Sequence, residues 1–443
     1  MAKLVIKSKL KNFNKEITVD GDKSISIRTL LIGSQSYGMC KIYNLSKSED
    51  VMSTIAGLRK LGVKIKIKNN ECYIFGKGLN SFNYKKNLVI NAGNSGTFAR
   101  LLLGLLIRSP NFIQIEGDKS LSRRDFFRII LPLSEFGASF KINKKKSLPL
   151  KILGSDLIKP IKYFEERGSA QCKSSVMLAA LNSPGTTTII AKKSRNHTET
   201  FFKYLELPIK IIKNKNLDII KVDGETQFKS FKYYIPGDFS SSAFFIVMTL
   251  LSKNAKLKIK NVNINPSRIG FIKIISKMGA KIKILNKRNL QGETIGDIFV
   301  KSQNNFKSIN CPTNLNSNAI DEFLIIFLLA SKASGVSHFT KLSEMNKKES
   351  PRLKLGSELL NKMGIRTIQK NGSIKIFGNP NLSIEKKINI KNFYKDHRIF
   401  MTSVVAALCF GGKWIINDVD SYKSSFPSFL KLLKKLGSKH YLI

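Results

Sequence analysis

LRKLGVKIKI, residues 58–67, holds the pattern that decides the fold. Apolar residues at helical spacing run up to a glycine, and apolar and polar residues alternate beyond it. A glycine just past the last helical residue ends a helix in the left-handed conformation, and period-two alternation begins a half-buried strand. The same switch recurs as LSEFGASFKI (133–142), ISKMGAKIKI (275–284), LNKMGIRTI (360–368) and LKKLGSKHYLI (433–443). KYLELPIKII (203–212) is a degraded copy with Leu207 in the place of the glycine. The six anchors, 62, 137, 207, 279, 364 and 437, are separated by 75, 70, 72, 85 and 73 residues, which is an internal repeat. Units of this size are too long for a solenoid, and each has room for several strands and two helices.

About 41 residues before each anchor stands a polar phrase: GDKS (21–24), GNSGT (93–97), GSAQCKSS (168–175), GDFSSS (237–242), AIDEF (319–323) and KDHR (395–398). Each leads into an apolar run, as a polar N-cap leads into a helix surrounded on most sides. Arg124, Arg195 and Arg352 stand 12 or 13 residues before their anchors, at the start of each unit's second helix. Gly21 precedes its anchor by 41 residues and Gly237 by 42, so the fourth unit repeats the first after 216. The expectation is an α/β fold of two domains with three units each. One domain spans 21–235, the other joins 1–20 to 236–443, and a two-stranded hinge lies near 20–22 and 235–238. GDKSLSRR at 117–124 resembles GDKSISIR at 21–28, but it lies only 20 residues before Gly137 and is a look-alike in another part of its unit.

The 443 residues carry a net charge of +46, with 76 Lys and Arg against 30 Asp and Glu. A polyanion partner would explain that, but the lysines are scattered through every segment and their clusters are short. We read them as solvated faces and expect neither nucleic acid nor membrane as a partner. The five cysteines, Cys40, Cys72, Cys172, Cys311 and Cys409, form no CxxC or Cys/His metal spacing, so packed thiols in a reducing compartment and no metal are expected. The N-terminus has no apolar run of signal-peptide length, and AFFIVMTLL (243–251) is far short of a bilayer span. A soluble, cytoplasmic monomer is expected.

A helix N-terminus carries unpaired N–H groups and partial positive charge, so it binds anions. Six such starts converging on an interdomain cleft would favour a substrate pair rich in phosphate and carboxylate. Lys23, Arg28, Arg100, Arg124, Arg195, Lys348, Arg352 and Arg398 add full charges, and arginine matches both groups in bidentate fashion. Asp321, Glu349 and His397 are the candidate proton carriers. Taken singly, Asp22, Ser24, Ser120 and Asp238 read as plain N-caps, and Asp321-Glu322 as a capping and dipole-compensating pair. Their joint placement at equivalent repeat positions points to a site.

GDKSxSxR, GNSGTxxR, GDxSLSxR, SAQxKS, SRxHTE, DEF, KESxR and DHR occur in this order over essentially the whole chain. The set resembles the 5-enolpyruvylshikimate-3-phosphate synthase family. The resemblance implies two inside-out α/β domains, each of three repeated units with buried parallel helices. It implies transfer of the enolpyruvyl group of phosphoenolpyruvate to the 5-hydroxyl of shikimate 3-phosphate, with release of phosphate and without metal or organic cofactor. It assigns shikimate 3-phosphate to Lys23, Ser24, Arg28, Ser169, Ala170, Gln171, Ser194, Arg195, Asp321 and Lys348. It assigns phosphoenolpyruvate to Lys23, Asn94, Gly96, Arg124, Gln171, Arg352, His397 and Arg398. Asp321 is implied as the base for the 5-hydroxyl, Glu349 as the acid for the methylene carbon, and Lys23 as a third catalytic group. Domain closure is expected to exclude water.

Four positions depart from the family pattern: Asp125 where proline is common, Pro351 where aspartate is usual, Asn346 where a basic residue is usual, and Ser424 where some relatives place lysine, with Lys423 one place earlier. The related enolpyruvyl transferase acting on UDP-N-acetylglucosamine usually carries a reactive cysteine on the loop near 112–124, and NFIQIEGDKSLSR has none. A nucleic-acid-binding or RNA-end-processing protein is the alternative that the charge alone would suggest.

Overall fold

The computed structural model describes residues 2–443. The chain forms two compact units. One comprises Met1–Asp20, Pro236–Arg288 and Thr294–Ile443, and the other comprises Gly21–Ile235 with Asn289–Glu293.

The 21–235 unit holds three four-stranded sheets of one pattern. In the first, Lys232–Tyr234 runs parallel to Tyr37–Tyr43, which pairs antiparallel with Glu71–Lys77, itself antiparallel to Lys64–Lys68. Leu88–Asn91, Ile113–Glu116, Leu150–Leu153 and Ser139–Ile142 repeat this order, as do Lys162–Glu165, Thr186–Lys192, Leu217–Asp223 and Ile209–Lys213. The first sheet takes its parallel edge from the far end of the segment, which closes the unit on itself.

In the other unit the N-terminal residues supply two strands. Asn14–Ile17 runs parallel to Lys256–Asn263, and Leu4–Ile6 lies antiparallel between Lys413–Ile416 and His440–Leu442. The middle sheet keeps three strands, Val336–Phe339, Ser373–Phe377 and Thr367–Lys370. Its parallel edge shrinks to two bridges, Lys307 to Ser334 and Asn310 to His338.

Each repeat contributes one helix buried along nearly its whole length. These are Lys23–Gly33, Gly96–Leu105 and Ala170–Ala180 in one unit, and Phe239–Leu251, Phe323–Ala330 and His397–Phe410 in the other. Continuous apolar sequence suits such positions, because each fully buried Leu, Ile or Phe contributes about 1.5–3 kcal/mol relative to exposure. Close approach also needs small residues: a Cβ on Gly104 would stand 2.2 Å from the Ser175 carbonyl oxygen. The second helix of each repeat is amphipathic, as in Glu49–Lys60 and Arg352–Lys362.

The glycine anchors end these second helices. Gly62, Gly137, Gly279, Gly364 and Gly437 have φ of 84°, 119°, 94°, 90° and 94°. The degraded copy requires a correction: the left-handed residue is Glu206, φ 55°, and not the one aligned with the glycines, Leu207. Leu207 is buried and begins the return to the sheet, so the helix stops one residue earlier than the alignment places it. The strand faces carry the lysines outward, as Lys64, Lys66 and Lys68 do around buried Ile65. Among the described residues, no helix is long and apolar enough to cross a membrane, and no group of three or more His, Cys, Asp or Glu side chains could hold a metal ion.

Candidate active site

Capping side chains define where the buried helices begin. Asp22 accepts from the Ile25 amide at 2.9 Å, Ser95 from Phe98 at 3.3 Å and Ser169 from Cys172 at 3.3 Å. Asp238 accepts from Ser240 at 2.7 Å, and Asp396 from Arg398 at 2.9 Å. Each cap satisfies at least one orphan amide, Asp238 two, and places the next residues at the positive end of the helix.

In the 21–235 unit the candidates fall into two groups. The first surrounds Arg28, which is buried one turn beyond Ser24. Arg28 Nη1 donates to the Ser24 carbonyl at 3.0 Å, Nε to Thr198 Oγ1 at 2.9 Å and Nη2 to Ser174 Oγ at 3.1 Å, while Ser174 and Thr198 hydrogen-bond at 2.7 Å. Lys23 Nζ meets Asp50 at 2.7 Å. Ala170 opens the helix capped by Ser169, and the Ser169 amide donates to the buried Glu165 carboxyl at 2.8 Å, whose proton affinity burial raises. Ser194 and Arg195 precede the helix His197–Tyr204; Ser194 Oγ is buried and has no hydrogen-bond partner among the described residues. His197 on that helix meets Glu293 at 2.7 Å, with both side chains buried. Glu293 lies in the tip Asn289–Glu293, and Gln291 of the same tip accepts from the Tyr234 amide at 2.7 Å.

The second group surrounds Gly96. Arg124 Nη2 donates to Asn94 Oδ1 at 2.7 Å, and Asn94 Nδ2 donates to Asp118 at 2.6 Å. Arg100 Nη1 donates to Gln171 Oε1 at 2.6 Å, and Gln171 Nε2 donates to Thr97 Oγ1 at 2.9 Å. A Cβ on Gly96 would lie 3.0 Å from Arg124 Nη1 and 3.2 Å from Arg100 Nη1. Desolvation, with Arg128 and Arg124 nearby, pulls the Arg100 pKa down to about 9. Like charges gathered out of water raise the free energy of this cluster, a cost that a bound anion would offset.

In the other unit the candidates gather on Arg352. Its Nε donates to Asp396 Oδ2 at 2.9 Å and its Nη2 to Asp396 Oδ1 at 3.3 Å. Nη1 lies 3.4 Å from Asp321 Oδ1, Nη2 also contacts Glu349, and Lys348 Nζ lies 3.5 Å from Asp321. Burial opposes the Arg352 charge, but Asp396, Glu349 and Asp321 outweigh it and hold its proton more tightly than usual. Burial likewise pushes the Asp396 carboxyl up, and Arg352 more than offsets it, leaving its pKa below the usual value. Arg398 Nη1 donates to the Asp321 carbonyl at 2.6 Å, while its Nε and Nη2 make no hydrogen bond among the described residues. His397 Nδ1 meets Ser424 Oγ at 3.3 Å.

Three carboxyls meet one guanidinium, and the two less buried ones, Asp321 and Glu349, beside two further cations, suit proton transfer on an anionic substrate. The sequence profile described as EPSP synthase (3-phosphoshikimate 1-carboxyvinyltransferase) matches residues 7–433. The chain belongs to the EPSP synthase family. It is 38% identical to the 3-phosphoshikimate 1-carboxyvinyltransferase of Petrotoga mobilis over 96% of this chain and 98% of that one. It is 38% identical to that of Ruthia magnifica subsp. Calyptogena magnifica over the full length of both. The structure of EPSP synthase from Acinetobacter baumannii superimposes with a TM-score of 0.87 at 31% identity over all of both chains. The enolpyruvyl transferase NikO from Streptomyces tendae shares the fold, with a TM-score of 0.77 at 12% identity. The family activity, enolpyruvyl transfer from phosphoenolpyruvate to shikimate 3-phosphate, is this chain's activity.

The departures from the EPSP synthase pattern have local explanations. Asp125 Oδ1 accepts from the Phe127 amide at 2.8 Å, and its carbonyl accepts from Arg100 at 3.1 Å. Pro351 occupies the N-cap position, and Asn346 Oδ1 accepts from the Leu353 amide at 3.0 Å, so the helix start survives. Ser424 meets His397, whereas Lys423 pairs with Asp420 at 2.6 Å on the surface. Sequence reasoning missed Asp50, which meets Lys23 from the second helix of the same repeat, and Ser174 and Thr198, which reach Arg28 from the third repeat. It also missed the roles of Asp396, Glu322, Ser240 and Arg268. The one available signal was position: Asp396 occupies the same cap as Asp22 and Asp238.

Proposed function

We propose that Asp321 and Glu349 are the two proton carriers of the enolpyruvyl transfer, with Arg352 setting their geometry. The observation that carries this reading is the joint contact of both carboxyls with that single guanidinium. Glu349 gives a proton to the methylene carbon of phosphoenolpyruvate, which makes the adjacent carbon electrophilic. The 5-hydroxyl of shikimate 3-phosphate attacks that carbon and loses its proton to Asp321. In the resulting tetrahedral species one carbon carries a methyl, a carboxylate, a phosphate and the new ether. The methyl returns a proton as phosphate leaves, and the enolpyruvyl ether remains. Two carboxyls in different environments supply opposite proton transfers.

Lys23, Ser24, Arg28, Ser169, Ala170, Ser194, Arg195 and Lys348 bind shikimate 3-phosphate on this reading, and Gln171 meets both substrates. Asn94, Gly96, Arg124, Lys23, Arg352, His397 and Arg398 take phosphoenolpyruvate. Arg398 supports this well, since its Nε and Nη2 edge matches a carboxylate. Arg352 has its donors engaged by Asp396, Asp321 and Glu349, so it takes a substrate anion by exchanging the Glu349 contact. That exchange frees Glu349 to carry a proton. We place the enzyme in the cytoplasm as a monomer.

Incubation with shikimate 3-phosphate and phosphoenolpyruvate, following phosphate, tests the activity; release only with UDP-N-acetylglucosamine would overturn it. Asp321→Asn should abolish turnover while shikimate 3-phosphate still binds. Near-normal turnover would remove Asp321 from the base role.

A further inference from the structure

We propose that Glu322, held by Ser240 and Arg268, is a positioning residue that aims Arg398 at phosphoenolpyruvate. The inference rests on the reading of Arg398 as a ligand of that substrate.

Glu322 stands immediately before the buried helix Phe323–Ala330, at the N-cap position, yet its side chain makes no capping bond. This corrects the reading of Asp321-Glu322 as a capping pair. The Glu322 side chain is fully buried and turns instead toward the third glycine-aspartate phrase of the sequence. Ser240 Oγ donates to Glu322 Oε1 and accepts from Arg268 Nη2 at 2.7 Å. Arg268 Nη2 also lies 3.4 Å from Asp238, which caps the helix Phe239–Leu251. Glu322 Oε1 lies 3.9 Å from Arg398 Nη1, and the second carboxyl oxygen of Glu322 is buried with no hydrogen-bond partner among the described residues.

A carboxyl with so little hydrogen bonding is costly to bury unless a charge offsets it. Here Arg398 pairs with it directly and Arg268 is linked to it through the Ser240 hydroxyl. Arg398 Nη1 is then fixed twice, by the Asp321 carbonyl and by the Glu322 carboxyl. Fixing that nitrogen leaves the Nε and Nη2 edge oriented before any ligand arrives, which lowers the ordering cost of binding. Arg398 Nη1 thus joins the main chain of the proposed base to the Glu322 carboxyl.

Ser240 offers a clean perturbation, because Asp238 caps through the Ser240 amide and not its hydroxyl. Steady-state kinetics on Glu322→Gln, Ser240→Ala, Ser240→Thr and Arg398→Gln test the proposal. Glu322→Gln and Ser240→Ala should raise KM for phosphoenolpyruvate about five- to tenfold with kcat changed less than about twofold, the signature of lost binding alone. The dissociation constant for shikimate 3-phosphate should hold, and Ser240→Thr should restore KM. The double variant Ser240→Ala/Glu322→Gln should be no worse than the worse single, as for two members of one network. Equal losses in kcat and in affinity for both substrates would show a structural role only and overturn the proposal. If Glu322→Gln does not fold, the Ser240→Ala and Ser240→Thr pair decides alone. An unchanged KM in Arg398→Gln would overturn the ligand assignment; a raised KM there with unchanged Glu322 and Ser240 variants would overturn only the positioning role.

Discussion

Arg352→Met removes a charge and a fork of hydrogen bonds while keeping much of the side-chain length. Asp396 is left behind, fully buried, with hydrogen bonds only from Ser350 at 2.7 Å and the Arg398 amide at 2.9 Å. Removing one partner of a buried ion pair costs about 3–5 kcal/mol. Two hydrogen bonds to a charged group, at about 1.5–3 kcal/mol each, give the same scale independently. Asp321 and Glu349 are more exposed than Asp396 and add little.

The pH dependence of this loss is the sharper test. In the native protein the Asp396 pKa lies below its ordinary value of 3.8, so its contribution is present above 3.8 and fades as pH falls through the folded value. Without Arg352, burial dominates and the pKa rises above the ordinary value. The variant then binds a proton more readily folded than unfolded, and it loses stability as pH rises. The cost of the substitution should therefore be smaller near about pH 5 than near about pH 8. Urea unfolding followed by fluorescence reads the correct unit, because the single tryptophan, Trp414, is fully buried in the same unit as Arg352. A loss below about 1 kcal/mol at pH 8, or the same loss at both pH values, would refute the reasoning.

Gly104→Ala should destabilise the 21–235 unit by about 1–3 kcal/mol, since its Cβ would stand 2.2 Å from the Ser175 carbonyl; unchanged thermal unfolding would show that the two helices part freely. Asp125→Ala should change KM for phosphoenolpyruvate less than about threefold, because its carboxyl caps Phe127 and its bond to Arg100 is made by the main chain; a larger change in steady-state assays would place the carboxyl in the site. Glyphosate, a phosphonate with a carboxylate, should compete with phosphoenolpyruvate, and Gly96→Ala should weaken inhibition by crowding Arg124 and Arg100. Inhibition that phosphoenolpyruvate does not relieve would count against this.

The sequence made the repeat legible because its signals are local. A left-handed glycine, an Asp or Ser cap and an unbroken apolar run each act within a few residues, and the repeat displays them several times over. Even the degraded copy showed its place, missing by one residue because Glu206 takes a conformation that its side chain does not advertise. The candidate site residues were legible where they stand at those same starts, as Lys23, Gly96 and Arg398 do. Their supports were not. Thr198 reaches Arg28 across 170 residues, and Asp396 reaches Arg352 across 44, so no spacing marks either contact. Glu322 misled for the opposite reason: its position says cap, and only packing shows that it faces Ser240.

The tip Asn289–Glu293 has a bearing on how the chain can be divided. By sequence, 21–235 is a self-contained half, the product of a threefold repeat. In space it is completed by five residues borrowed from beyond its end. A polypeptide cut after Ile235 would keep His197 but lose Glu293, and it would keep the Tyr234 amide but lose Gln291. Split-protein complementation, circular permutation and half-exchange between relatives would each have to carry that tip with the correct fragment.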